Sequence, residues 1–124
     1  MSSPTLKKWF PHRRPSPAAR ARLFCFTYAG GSAAAFRAWA DSLGPAIEVC
    51  AVEPPGRGSR FVEPPYRHAE AYVAAVLPLV RELSDRPFVL FGHSLGAMVA
   101  FEVAQSLERS GARTPAAKVR EDPG

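Results

Sequence analysis

The sequence contains only two cysteines, no long apolar run, and no apolar stretch behind its basic amino terminus. No hydrophobic segment approaches the roughly 20 residues that a membrane-spanning helix needs, so we expect no membrane association. Without the apolar core of a secretory signal, the expected location is the cytoplasm. Cys25 and Cys50 each lie inside an apolar run, where reduced thiols behave as small buried hydrophobes. We therefore expect neither a disulfide nor a metal site.

Positive charge is concentrated near the amino terminus. The net charge is +5 at pH 7, and no acidic residue interrupts a basic series formed by Lys7, Lys8, Arg13, Arg14, Arg20 and Arg22. Two interpretations are open: a solvated tail, or a surface that attracts an acidic protein partner. Nucleic-acid binding is not expected, because the series shows neither zinc-ligand spacing nor a helix-turn-helix pattern.

The length and composition suit one modest domain. With 124 residues, of which 47% are hydrophobic, the chain can build one core but not two. Residues 1–21 are rich in proline and arginine and predict an irregular basic arm, with Trp9 and Phe10 able to pack on the domain. The folded part is expected over residues 22–112. Residues 113–124 contain no strand-like run and predict an irregular tail.

Strand and helix patterns alternate through the folded part. Short apolar runs predict strands, and each is followed by a helical pattern: strands at 22–28, 47–52 and 87–91, helices at 33–43, 69–83 and 95–110. Strands that are apolar on both faces and joined by helical crossovers indicate a parallel sheet covered on both sides. The predicted fold class is therefore α/β, a three-layer α/β/α sandwich or the first half of one.

The strongest chemical signal is Gly92-His93-Ser94-Leu95-Gly96, between the third predicted strand and its helix. A sharp strand-to-helix turn needs small residues two positions either side of the serine. Such a turn exposes the serine hydroxyl at the end of the sheet, beside the partial positive charge of the helix amino terminus. Ser94 is therefore the candidate catalytic nucleophile. The alternative is a glycine-rich turn in which Ser94 only caps the helix.

A second signal follows the first predicted strand, at Tyr28-Ala29-Gly30-Gly31-Ser32. In hydrolases with a serine turn, one oxyanion donor is the amide after the nucleophile, and the other comes from a glycine-rich loop after an earlier strand. The candidates are the Leu95 and Ala29 amides. For the two loops to meet, the first strand must lie between the second and the third. Alone, the double glycine favours a simple turn, and it indicates an oxyanion loop only in combination with Ser94.

Three stretches together resemble the type II thioesterases of polyketide and non-ribosomal peptide assembly lines, which belong to the α/β-hydrolase superfamily. These stretches are residues 23–32, 55–60 and 86–97, and the resemblance extends over about residues 20–112. Family members usually have proline where Thr27 stands. The resemblance implies a truncated α/β-hydrolase fold.

By the same resemblance, Ser94 is the nucleophile and the Ala29 and Leu95 amides form the oxyanion hole. The implied substrate is an acyl group on the phosphopantetheine arm of an acyl or peptidyl carrier protein, and no metal or cofactor is implied. Arg57 and Arg60 would border the substrate entrance. The alternative for these two residues is a proline-glycine turn with solvated arginines.

The chain has no residue for the rest of a catalytic triad. In this fold the order is Ser, then Asp or Glu, then His, and no histidine follows Ser94. His93 is expected to pack beneath the turn, and neither His12 nor His68 comes from the region that delivers the base. The chain is thus predicted to be an incomplete thioesterase. A non-catalytic carrier-binding or vestigial module, and another serine esterase of the superfamily, are the alternatives.

Overall fold

The computed structural model describes residues 3–121 as a four-stranded sheet flanked by helices. The strands are β1 (Ala21–Phe26), β2 (Ile47–Ala51), β3 (Phe88–His93) and β4 (Ala117–Glu121). The α-helices are α1 (Pro4–Trp9), α2 (Arg37–Leu43), α3 (Ala69–Glu82) and α4 (Leu95–Arg109), with 3-10 helices at Ala33–Phe36 and Gly58–Arg60. In this part of the chain, no helix combines the length and apolar composition needed to cross a bilayer.

The sheet is parallel throughout, in the order β2-β1-β3-β4. β1 lies between β2 and β3, as predicted, so the chain winds outward from β1 in both directions. Phe24 and Phe26 of β1 pack into the core beneath α1, α3 and α4, whereas Cys25 points into a second core beneath the 3-10 helix and α2. Successive strand residues face opposite sides, which explains the continuous apolar run. The predicted α/β sandwich is confirmed.

Both cysteines are free thiols in the core, as expected. Burial raises the pKa of the Cys25 thiol to about 12, and it raises the pKa of the Cys50 thiol as well. A thiol held protonated in this way is a poor nucleophile and a poor metal ligand.

The amino-terminal segment is more ordered than the predicted irregular arm. Ser3 caps α1, because its hydroxyl accepts a 3.1 Å hydrogen bond from the amide of Leu6. Trp9 and Phe10 are buried against the domain, which was the expected mode of attachment. The sequence did not reveal this helix, because prolines and arginines surround its few apolar residues. Leu6 and Trp9 form a short apolar stripe, which is sufficient to pack the six-residue helix on the domain. Residues 1 and 2 lie outside the described residues.

Two arginines of the basic series, the half-buried Arg13 and the buried Arg22, form ion pairs with the buried Glu48. The Nε atoms of Arg13 and Arg22 each donate a 2.8 Å hydrogen bond to Oε2 of Glu48, and Arg22 also binds Asp85. Burial alone raises the pKa of Glu48, but the hydrogen bonds from the two arginines outweigh it and lower the pKa to about 2. This cluster lies where β1 and β2 begin, at the opposite end of the sheet from Ser94. These charges therefore stabilise the fold, and do not form a solvated tail.

The predicted irregular tail also contains a strand. β4 pairs in parallel with β3, from Val89 beside Ala117 to His93 beside Glu121. All five β4 residues are exposed, so backbone hydrogen bonds rather than apolar burial hold this strand. A strand without a buried face leaves no hydrophobic pattern, which is why the sequence did not reveal it. Residues 122–124 of the predicted tail lie outside the described residues.

Candidate active site

Ser94 occupies a strained turn between β3 and α4. Its backbone has φ 55° and ψ −116°, and within residues 3–121 it is the only non-glycine residue with a positive φ. Such a conformation costs on the order of 1–3 kcal/mol and persists only where the surrounding structure imposes it. The Ser94 side chain makes no capping hydrogen bond to α4. This geometry disagrees with the helix-cap alternative, and the role of Ser94 as nucleophile stays a prediction.

Close packing explains the two glycines that flank this turn. A Cβ atom on Gly92 would clash with the backbone of Ala97, at the start of α4. A Cβ atom on Gly96 would clash with the carbonyl group of Phe26, at the end of β1. The turn can therefore form only if both positions lack a side chain. The second contact also brings the Ser94 turn directly against the segment that follows β1.

The glycine loop, defined here as residues 28–32, begins two residues after the end of β1. Gly30 has φ 82°, and the amide of Gly31 donates a 3.0 Å hydrogen bond to the carbonyl of Tyr28, which closes a tight turn. In the described part of the chain, no backbone carbonyl accepts a hydrogen bond from the Ala29 or Leu95 amide. Both amides are therefore available to a ligand. Their role as oxyanion donors stays a prediction.

A cleft of about 130 Å³ joins the glycine loop to the start of α4. Its walls come from the glycine loop, the segment after β2, α3 and α4, and include Tyr28, Ala29, Arg57, Tyr66, Tyr72 and Leu95. A larger groove of about 480 Å³ lies between α3 and α4, but its lining includes neither the glycine loop nor Leu95. The chemical groups, and not the volume, therefore identify the smaller cleft as the candidate site.

The two arginines predicted at the entrance have different environments. Arg57 lines the cleft, and its guanidinium donates a 2.9 Å hydrogen bond to the carbonyl of Gly56. Arg60 is buried: it stacks 4.1 Å above the Trp9 ring and pairs with Glu63 at 2.9 Å. The 3-10 helix at Gly58–Arg60 turns this side chain inward. The prediction for Arg60 was therefore wrong, because spacing along the chain does not reveal which way a side chain points.

Sequence reasoning missed Glu53, a buried acid two residues beyond β2. One oxygen, Oε1, accepts a 2.8 Å hydrogen bond from the amide of Ala33. The other, Oε2, accepts hydrogen bonds from the Ser59 amide at 3.0 Å and the Ser59 hydroxyl at 3.1 Å. The sequence did contain a signal for Glu53. An acidic residue ends an otherwise apolar run, at the carboxyl end of the sheet where Ser94 also lies.

His93 does not pack beneath the turn as expected. Its Nδ1 atom lies 3.3 Å from Oε1 of Glu121, and its ring meets the Tyr28 ring edge-on at 5.4 Å. Among the described residues, no hydrogen bond joins a histidine to the Ser94 side chain. The site therefore brings together a candidate nucleophile and two candidate oxyanion donors, without a histidine hydrogen-bonded to the serine.

Comparison with known proteins gives one consistent family. Residues 21–117 match the family model described as thioesterase domain. The chain is 38% identical over 104 residues to gramicidin S biosynthesis protein GrsT of Aneurinibacillus migulanus, covering 84% of this chain and 41% of that protein.

Two solved structures are similar. RedJ, a thioesterase from the prodiginine pathway of Streptomyces coelicolor, matches with a TM-score of 0.77 and 40% identity over 97% of this chain and 49% of that one. The type II thioesterase BorB from the borrelidin cluster matches with a TM-score of 0.80 and 38% identity, over 90% of this chain and 45% of that one. The chain thus spans less than half the length of each of these three proteins.

Proposed function

Since this chain belongs to the thioesterase domain family, we propose that it carries the nucleophile part of a type II thioesterase that hydrolyses acyl groups from carrier proteins of polyketide or non-ribosomal peptide synthesis. The observation that carries this proposal is the strained Ser94 turn, packed against Phe26 and Thr27 directly before the glycine loop. The names of the similar proteins, which refer to gramicidin S, prodiginine and borrelidin biosynthesis, support the same substrate class.

The proposed chemistry is acyl transfer to Ser94. Its Oγ atom attacks the thioester carbonyl, and the tetrahedral oxyanion accepts hydrogen bonds from the Ala29 and Leu95 amides. The carbon–sulfur bond then breaks and releases the carrier thiol, and water hydrolyses the acyl-serine to a free acid. A thiol has a pKa of about 8.5 and is a good leaving group. The main requirements for catalysis are therefore activation of the serine and stabilisation of the oxyanion.

We further propose that this chain alone forms the acyl-serine slowly and does not turn over. Among residues 3–121, no histidine forms a hydrogen bond with the Ser94 side chain, and no histidine follows Ser94 in the sequence. Without a base, the serine hydroxyl is a weak nucleophile. What survives loss of a triad member comes from binding and the oxyanion hole, about 10³–10⁴ over water in a well-formed enzyme.

The proposed partner is an acyl or peptidyl carrier protein, with Arg57 at the cleft as a contact for its acidic surface. The buried pairs of Arg13 and Arg22 lie at the opposite end of the sheet, which removes them from this surface. The proposed location is the cytoplasm, in keeping with two free thiols in the core.

A fluorophosphonate probe tests the proposed nucleophile. The chain should be labelled slowly at one site, identified by mass spectrometry as Ser94. Ser94→Ala should abolish labelling, whereas the exposed control Ser42→Ala should leave it unchanged. Labelling that survives Ser94→Ala would contradict the proposal.

Hydrolysis of an acyl-pantetheine thioester tests the absence of turnover. We expect a rate close to that of Ser94→Ala. Robust turnover that depends on Ser94 would show that the chain contains its own base. Carrier binding without any labelling of Ser94 would instead favour the non-catalytic module, which the missing base makes the second candidate.

A further inference from the structure

We infer that Glu53 is a positioning residue of this site, whose buried carboxylate holds the glycine loop against the entrance loop, defined as residues 54–60. The inference rests on the proposed function, because its consequence is the placement of the Ala29 amide relative to Ser94. Glu53 touches neither Ser94 nor the cleft, so it would act only through the two loops.

The two oxygens of Glu53 bind different segments of the chain. Oε1 accepts from the Ala33 amide at 2.8 Å, directly after the glycine loop, and Oε2 accepts from the Ser59 amide at 3.0 Å. The glycine loop is thus fixed at both ends, by β1 on one side and by Glu53 on the other. Only six residues separate Phe26, the end of β1, from Ala33. Movement of Ala33 must therefore move Ala29.

The entrance loop is built around the same carboxylate. Gly58 has φ 49°, and a Cβ atom there would clash with Oε2 of Glu53. The carbonyl of Glu53 also accepts a 2.9 Å hydrogen bond from Arg60, and its amide donates a 2.7 Å hydrogen bond to the Trp9 carbonyl. One residue thereby joins the glycine loop, the entrance loop and α1.

The energetics favour positioning over stability as the reason for this acid. Glu53 is only 2% exposed, and within residues 3–121 no lysine or arginine forms an ion pair with it. Burying a carboxylate costs more than burying an apolar group of the same size, even when hydrogen bonds satisfy it. What the carboxylate offers is two acceptor oxygens in fixed directions, which an apolar side chain cannot provide.

Glu48 offers a matched control in the same chain. It is also buried, but it lies at the other end of β2 and binds Arg13 and Arg22, away from both loops. Glu48→Gln and Glu53→Gln are therefore the same chemical change at the two ends of one strand. A glutamine at position 53 keeps one acceptor oxygen. Its NH₂ group would face one of the two backbone N–H donors, so that hydrogen bond would be lost. Leucine at position 53 removes both acceptors.

The experiment measures two quantities in the full chain: amide hydrogen exchange of peptides covering the two loops, and the rate of fluorophosphonate reaction at Ser94. In Glu53→Leu we expect exchange at least about tenfold faster in both loops. We also expect a Ser94 reaction slower by about tenfold or more, since small misplacements of catalytic groups are that costly. Glu53→Gln should give intermediate values. Glu48→Gln should change neither quantity at a temperature where it is folded.

The inference is overturned if Glu53→Leu leaves exchange of the glycine loop unchanged, or slows the Ser94 reaction no more than Glu48→Gln does. If Glu53→Leu does not fold, Glu53→Gln decides: equal results for the two glutamine variants overturn the inference. If Ser94 does not react even in the unaltered chain, the proposed nucleophile fails. Exchange in the two loops then decides the role of Glu53 by itself.

Discussion

The backbone amide of Ser94 donates a 2.8 Å hydrogen bond to the carbonyl oxygen of Glu121. This bond joins the turn at the candidate nucleophile to the end of β4, a strand whose five residues are all exposed. Because the Ser94 backbone is strained, the turn depends on contacts of this kind to keep its shape. A strand with no buried side chain thus contributes directly to the geometry of the candidate site.

Breaking the β3–β4 ladder should therefore weaken the site. Val119, in the middle of β4, pairs with Phe91 of β3. Proline at position 119 has no backbone N–H and therefore cannot donate a hydrogen bond between the two strands. We expect Val119→Pro to slow the fluorophosphonate reaction of Ser94 by about tenfold. Val119→Thr keeps the backbone amide and should react at the original rate. Equal rates for the two variants would show that β4 does not support the turn.

Glu48 should make the protein acid-sensitive. Its folded pKa, about 2, is below the ordinary value of 4.5, so its stabilisation is present above about pH 5 and is lost as the pH falls toward 2. The loss should be on the order of 2–3 kcal/mol in the free energy of unfolding. Urea unfolding between pH 6 and pH 2.5 measures it.

Glu48→Gln is the control for this pH dependence. It should be less stable at pH 6 and should lose less stability on acidification. Some dependence should remain, because hydrogen bonds from Arg22 and Arg60 also lower the pKa values of Asp85 and Glu63. An unchanged slope in Glu48→Gln would rule out Glu48 as the source.

Thr27→Val should stabilise the protein. The Thr27 hydroxyl is buried, and no group in the described residues forms a hydrogen bond with it. Valine has nearly the same shape, so the substitution removes the cost of burying an unsatisfied hydroxyl, about 1 kcal/mol or more. Urea unfolding checks the sign, with the exposed Thr114→Val as a control within about 0.5 kcal/mol of the original. A loss of stability in Thr27→Val would mean that the hydroxyl has a partner.

Carrier binding should depend on salt and on Arg57. Titration of an acidic acyl carrier protein should show weaker binding as ionic strength rises, because screening is substantial beyond about 10 Å at 0.1 M. Arg57→Ala should reduce affinity, since Arg57 lines the cleft. Arg14→Ala should not, because Arg14 pairs with Asp41 on an exposed surface near the buried Glu48 cluster. Binding that is insensitive to salt, or equal losses in both variants, would reject this electrostatic account.

The sequence alone determined the central part of the fold and the strand-to-helix turn that carries the candidate nucleophile. The continuous apolar runs at β1, β2 and β3 arise because these strands are buried on both faces of the sheet. The glycines on either side of Ser94 are needed because neighbouring backbone lies too close for a Cβ atom. Both features are local, so they can be read from neighbouring residues.

Only the tertiary structure decided the elements that depend on distant contacts. β4 is held by backbone hydrogen bonds to β3, which any sequence can make and which therefore leave no pattern of side chains. Arg60 turns inward because it contacts Trp9 and Glu63 there. Arg13 is half-buried because it binds Glu48, which is 35 positions away along the chain. Charge in a sequence predicts solvent exposure unless a partner of opposite charge arrives from elsewhere, and folding alone determines where that partner lies.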